Sequence, residues 1–294
     1  MNNPINILFD METGDPDDVV TLCFLMSHPK VKLRAVTVTP GSNAQIGIVR
    51  HLLKRMNFEH IPVGSWKIGY EKRCVSGFHY QWLGGEIADS SPDDEGYKII
   101  HQTLIQYPDL TIVTGAPLKN FGQLDETIPI KRWVAQGGFA GDNVVPVENR
   151  LPKFDGKIVC PTYNFNGAPD EARKMLFECD IEERYLVSKN VCHGMVYDAE
   201  LDQKMEAVKH KSEGLNLIYQ GMHQYLLHHP LGKKFHDPLA ACVAIDKNIC
   251  EFREVEMYRQ KGQWGANLKE GTNTFITVSV DTKKFINVFT DFQN

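Results

Sequence analysis

The chain is 294 residues long, with 42% hydrophobic and 23% charged residues, enough apolar material for a sizeable core folded without staples. Its seven cysteines are odd in number, scattered and never spaced CxxC, which argues against a disulfide framework or a zinc site and fits a reducing compartment. The net charge of -5, with lysines and arginines dispersed, excludes the basic footprint of a nucleic-acid binder, so a small-molecule partner is expected.

The opening MNNPINILFD has no basic start and too short an apolar stretch for a secretory signal. No run approaches the roughly 20 apolar residues of a membrane span, and a cytoplasmic protein is expected. INILF (5–9), an acidic loop, DVVTLCFLMSH (18–28) and VKLRAVTVT (31–39) predict strand, loop, helix, strand, which is a βαβ unit. The beat continues with a helix over 44–56, a short strand IPVGS (61–65), a helix GYKIIHQTLIQY (96–107), a strand LTIVTG (110–115) and a helix opening at Pro117. RWVAQGG (132–138) and KIVCP (157–161) read as strands, PDEARKMLF (169–177) as a helix with Pro at its start, and HDPLAACVAI (236–245) as a buried helix. FITVSV (275–280) and INVF (286–289) predict a small antiparallel β extension near the C-terminus. The turn-rich segment 66–94, with CVSGFHYQWLGG (74–85), suits a loop beside a site. The whole predicts an α/β fold, an open, mostly parallel central sheet with helices on both faces. With no repeat and no low-complexity linker, one domain over 1–294 is expected.

The informative stretch is DMETGDPDD (10–18), which sets Asp10, Glu12, Asp15, Asp17 and Asp18 directly after the first strand. In open α/β sheets ligands bind outside the carboxyl ends of the strands, where this loop lies. Acids before a helix are ordinary caps and meet the positive end of its dipole, which accounts for one or two of the five. It does not account for Asp10 and Glu12, which leave the strand two apart on one face. Crowded carboxylates raise one another's pKa unless a cation binds them, and oxygen ligands without His or Cys suit Ca²⁺ or Mg²⁺.

Read together with VTGAPLKN (113–120) and FHDPLA (235–240), this loop resembles that of the inosine-uridine preferring nucleoside hydrolase family. Asp10, Glu12, Gly14, Asp17 and Asp18 match the family's DxDxGxDD if one residue is inserted before the Asp pair. VTVTPGSN (36–43), GFHYQWLGG (77–85), QGGFAGDNVVP (136–146) and YNFNGAPDEA (163–172) match in order and spacing over most of the chain. The resemblance implies Ca²⁺-dependent cleavage of the N-glycosidic bond of a ribonucleoside on an α/β scaffold, by a homo-oligomer, a dimer or tetramer, with no nucleic-acid or membrane partner.

Carried over residue by residue, it makes Glu12 the metal-bound carboxylate that deprotonates the attacking water. Asp18 and Asp237 become carboxylate ligands and Lys119 a ligand through its carbonyl, with Asp10 in support. Asp17 and Asn166, with Ser42 or Asn43, fall where ribose hydroxyls are contacted, and Asn143 where the 5′ hydroxyl is held. His236 falls on the leaving-group side as a general acid, and His79 in the loop near the sugar. His193, beside the turn residue Gly194, is a lesser candidate.

Four features depart from the family pattern. Glu12 stands in place of Asp, one residue is inserted before Asp17, Gln136 stands where an apolar Met packs near the ribose, and Asn164 replaces a Glu that accepts from the 5′ hydroxyl. Losing that carboxylate removes a repulsion against a 5′-phosphate, so a nucleotide or other 5′-modified ribonucleoside joins the expected substrates. The base itself is left open. The alternatives are a catalytically silent nucleoside- or sugar-binding protein, and a phosphohydrolase of the haloacid-dehalogenase type in which Asp10 of DMET is the nucleophile.

Overall fold

The computed structural model describes residues 4–290. The first half supplies strands β1 (Ile5–Met11), β2 (Val31–Val38), β3 (Val63–Ser65), β4 (Asp94–Glu95), β5 (Thr111–Thr114) and β6 (Ile130–Gln136). The second adds β7 (Val159–Cys160), β8 (Ile181–Val187), β9 (Val196–Tyr197), β10 (Lys233–Lys234), β11 (Cys250–Gln260), β12 (Gln263–Leu268) and β13 (Thr274–Val280). Eleven of them form one sheet in the order β4-β3-β2-β1-β5-β6-β8-β13-β11-β12-β7, and β9 pairs with β10 apart from it. From β4 to β13 every neighbouring pair is parallel, and β13, β11, β12 and β7 are joined antiparallel. The expected antiparallel extension is therefore a continuation of the main sheet, entered through β13 lying parallel to β8.

Apolar residues cover both faces of this sheet, as a parallel sheet requires. Along β1 the side chains alternate, with Ile7, Phe9 and Met11 in one core and Leu8 in the other. The chain steps from β1 outward through β2, β3 and β4, then returns to the other side of β1 with β5, so the switch in winding direction falls between β1 and β5. A ligand crevice is expected at that point. Two buried helices open there, Pro16–Ser27 and His236–Ile245, and both place carboxylates in their first turns.

Three local expectations change. INVF is not a strand: it lies in the helix Thr282–Thr290, where Phe285 and Phe289, four apart, are both fully buried. GFHYQWLGG is not a loop: Gly77–Leu83 is a helix capped by Ser76 and ended by Gly84, whose φ of 100° belongs to the left-handed region. The helix expected from Pro117 is only a 3₁₀ turn, Lys119–Phe121.

Candidate active site

Asp10, the last residue but one of β1, has its side chain wholly buried, accepting from Thr37 Oγ1 (2.6 Å) and Asn120 Nδ2 (2.7 Å). Burial pushes its carboxyl up to about 7, against the lowering effect of both hydrogen bonds. Its backbone carbonyl accepts from Gly115 N–H (2.8 Å), which fastens the end of β1 to the end of β5. Asp10 thus sits beneath the crevice and does not line it. A nucleophile must reach its substrate, so the phosphohydrolase reading has no exposed Asp10 to use.

Above it, the first turn of Pro16–Ser27 brings Asp17 and Asp18 against Asp237, from the first turn of His236–Ile245. These three carboxylates each offer an oxygen within 4.8 Å of the others, and all three are buried. Glu12 is not in this close group. Its backbone N–H donates to Asp18 Oδ1 (3.1 Å), while its longer side chain takes a hydrogen bond from Tyr163. Burial first, then the negative charge of its neighbours, raises the carboxyls of Asp18 and Asp237 well above the usual range. Glu12 is pushed up to about 7, by burial first and then by Asp17 and Asp15.

Gly115 makes this convergence sterically possible: a Cβ there would lie 2.8 Å from Asp237 Cγ and 3.0 Å from Asp18 Oδ1. One built-in cation relieves part of the crowding, since buried Lys233 pairs with Asp15 (2.9 Å) and Asp17 (3.3 Å). Burial alone would lower its pKa, but the two aspartates hold the ammonium above its usual range. Asp237 Oδ1 is buried and without a partner. An orphaned carboxylate oxygen among all-oxygen donors is what a hard divalent cation satisfies.

A chamber of about 360 Å³ opens over these groups, walled also by Gln136, Asn164 and His236. Asn164 Nδ2 donates to the Gly115 carbonyl (2.9 Å) and to Gln136 Oε1 (2.8 Å), so both amide hydrogens are engaged. His236 stacks on His193 at 5.1 Å between centroids. Burial lowers its pKa to about 4, with Asp17 opposing and Lys233, Lys234 and Lys153 reinforcing the shift. At neutral pH its burial favours the uncharged ring.

The inner chamber joins an outer one of about 1080 Å³ through Glu12, Gly14 and Tyr163, which line both. Lys119 and Asn166 lie on the outer chamber. The Lys119 carbonyl accepts only a long bond from Gly122 N–H (3.4 Å). Asn166 bridges Thr162 N–H (2.9 Å) and the Gly262 carbonyl (2.5 Å).

Four expected site residues are elsewhere. His79 is fully buried, its Nε2 on the Thr13 carbonyl (3.0 Å) and its pKa lowered by burial to about 4, so it braces the acidic loop from behind. Ser42 caps the helix Asn43–Arg55, and its hydroxyl also meets the Arg73 carbonyl. Asn43 is exposed at the start of that helix, where its carbonyl accepts from Ser90 N–H (2.9 Å). Asn143 donates to the Ala266 carbonyl (2.6 Å) and stitches the loop after β6 to β12. Residues not singled out from sequence complete the site: Gly115, Tyr163, Lys233 and the Asp10 partners Thr37 and Asn120. Gly115 and Asn120 lie inside the VTGAPLKN motif, and Lys233 two residues before the FHDPLA motif, so each had a positional signal.

The sequence matches the family described as inosine-uridine preferring nucleoside hydrolase over residues 7–287. A protein of Aquifex aeolicus (strain VF5), described as uncharacterized, is 27% identical over 286 residues, covering 93% of this chain and 94% of its own. Among solved structures, a plant nucleoside hydrolase superposes with a TM-score of 0.76 at 18% identity, covering 98% of each chain. A purine-preferring ribonucleoside hydrolase from Gardnerella vaginalis gives 0.70 at 17% identity, covering 97% of this chain and 96% of that one. An inosine-uridine preferring nucleoside hydrolase from Bacillus anthracis gives 0.69 at 16%, covering 97% and 98%.

Proposed function

Because the chain belongs to the inosine-uridine preferring nucleoside hydrolase family and is an N-ribohydrolase, we propose that it hydrolyses the N-glycosidic bond of a ribonucleoside or 5′-modified ribonucleoside with a calcium ion at its acidic cluster. The observation that carries this reading is the group Asp17, Asp18 and Asp237, converging at the sheet's switch point with an unpartnered Asp237 oxygen. The donors are all oxygens, and the cradle over Gly115 has no room for a side chain there, which fits a calcium ion better than a soft metal. Asp18, Asp237, Glu12 and the weakly engaged Lys119 carbonyl would hold it, with Asp17 closer to the ligand group than the sequence implied.

When bound, such an ion orients water and the cis hydroxyls of ribose and makes that water more acidic. Glu12, as a carboxylate beside that ion and at the junction with the outer chamber, would take the proton from the attacking water. The water oxygen bonds to C1′ as the C1′–N bond breaks, one water proton passes to Glu12, and the departing base takes a proton from solvent, to which Glu12 later returns its own. Positive charge develops on the sugar as the bond opens, as in other glycoside hydrolysis. Asp17 accepts from ribose hydroxyls, and the surrounding carboxylates stabilise that charge more in the transition state than in the ground state. Asn164 offers its free oxygen as an uncharged acceptor at the 5′ end. His236, neutral, keeps one N–H to donate to the base.

The same reading takes the protein to be cytoplasmic and a dimer or tetramer. Its seven free cysteines suit a reducing compartment, and no described helix is long and apolar enough to cross a membrane. Chromatography of free base released from a panel of ribonucleosides, with calcium and again with chelator, tests the activity. Chelator-sensitive release is expected; release that persists undiminished in chelator sinks the metal assignment, and no release from any member sinks the substrate class.

A further inference from the structure

The two joined chambers have opposite charge. The inner one is walled by Glu12, Asp15, Asp17, Asp18 and Asp237. The outer one carries Lys72, Lys119 and Lys189, with Glu12, at the junction, as its only carboxylate among the described residues. The outer volume of about 1080 Å³ is also at the upper end of drug-sized ligand sites, about 1,000 Å³, so it has room for more than a ribose.

The lysines are not equally committed. Lys119 already pairs with Glu171 (3.4 Å). Lys72 is exposed and has no hydrogen bond or ion pair among the described residues. Lys189 spends one N–H on the Pro161 carbonyl (2.8 Å) and keeps two. Between the chambers runs the short helix Tyr163–Gly167: Asn164 faces inward, Tyr163 lines both, and Asn166 faces outward beside Lys189's anchor at Pro161. That wall is the one assigned above to the ribose 5′ end, and it presents amides and a phenol but no carboxylate.

We propose that the outer chamber is a phosphate subsite and that the preferred substrate is a ribonucleoside 5′-monophosphate, its ribose in the acidic chamber and its phosphate against Lys72 and Lys189. This rests on the ribose lying in the inner chamber as proposed above. A phosphate dianion is repelled by the acidic group and attracted by the lysines, so charge alone fixes which end of the substrate enters first. Hydrolysis then adds water across C1′–N, giving the free base, which takes a proton, and ribose 5-phosphate. The phosphate ester is untouched.

The test compares kcat/KM for base release from nucleosides and from their 5′-monophosphates, in wild type and in the double variant Lys72→Gln/Lys189→Gln. The phosphorylated substrates are expected to be preferred, and the preference to fall by about tenfold or more in the variant, the size of one or two lost charge-assisted contacts. Nucleosides turned over at least as well as their monophosphates would overturn the proposal and leave the family-level activity standing. If neither series releases base, calorimetry of ribose 5-phosphate against ribose on the calcium-loaded protein decides. Tighter binding of the phosphate, lost in the double variant, supports the subsite; equal binding overturns it.

Discussion

Single atoms govern how the acidic cluster closes, and Gly115 is the clearest case. Its missing Cβ leaves the space in which Asp18 and Asp237 approach each other, at 2.8 to 3.0 Å from where that carbon would stand. Gly115→Ala should therefore push the two carboxylates apart and weaken calcium binding by about 10–100-fold, the usual loss when support around a ligand set is disturbed. Calcium titration followed by calorimetry measures this, and unchanged affinity would remove the cluster as the metal site. At this scale the sequence was informative about carboxylates and poor about their surroundings. Asp17 and Asp18 were legible because like charge concentrated at a strand end needs a cause, and Asp237 because FHDPLA resembles a family motif. His79, Ser42 and Asn143 were placed in the site by position in a motif, yet each is consumed by a backbone partner, the Thr13 carbonyl, the Gln45 N–H and the Ala266 carbonyl. The Thr13 and Ala266 partners, 66 and 123 positions away, leave no trace in local sequence, whereas Ser42 and Gln45 form a capping box that is a local signal.

Elements matter here by what they hold in register. The two helices that deliver the carboxylates are tied together by the C-terminal helix Thr282–Thr290: Phe289 stacks on Phe24 (5.0 Å between centroids) and meets Phe235 edge-on (5.5 Å). Phe24 belongs to Pro16–Ser27, and Phe235 directly precedes His236–Ile245. Phe289→Ala removes a fully buried ring and should cost about 3–5 kcal/mol, read as a lower denaturation midpoint in urea. A change below about 1 kcal/mol would mean the helix is dispensable to the core. This helix is also where the sequence misled, because a short segment such as INVF, with three apolar residues of four, fits a strand as well as a buried helical face. The long, periodic elements were legible for the opposite reason: the strand–helix–strand opening carries both periods over enough residues to separate them. The Gly77–Leu83 helix was hidden by glycines at both ends, which read as turn signals although Gly84 is its cap.

For the whole molecule, the acidic cluster couples stability to pH and to metal. Unfolded carboxyls titrate at about 4, whereas Asp10 and Glu12 are held up to about 7 and Asp18 and Asp237 well above their usual values, burial being the first cause for each. For an acid whose folded pKa is raised, the contribution to stability is complete below about 4 and is lost as pH rises through the folded value. Without metal the protein should therefore lose stability between about pH 4 and 7, because folding then keeps protons on groups that would rather release them. A calcium ion bound there, as proposed above, should displace those protons and reverse the trend. At 100 times Kd it adds about 2.7 kcal/mol, or roughly 5 °C or more in Tm for a chain of this size. The gap in Tm between calcium-loaded and chelated protein should widen from pH 5 to pH 8, since fewer protons compete for the same oxygens at higher pH. Differential scanning fluorimetry across that range measures it directly. A gap that stays constant would mean the cation binds without displacing protons from the cluster, as it would if Lys233 alone already kept these carboxylates ionised.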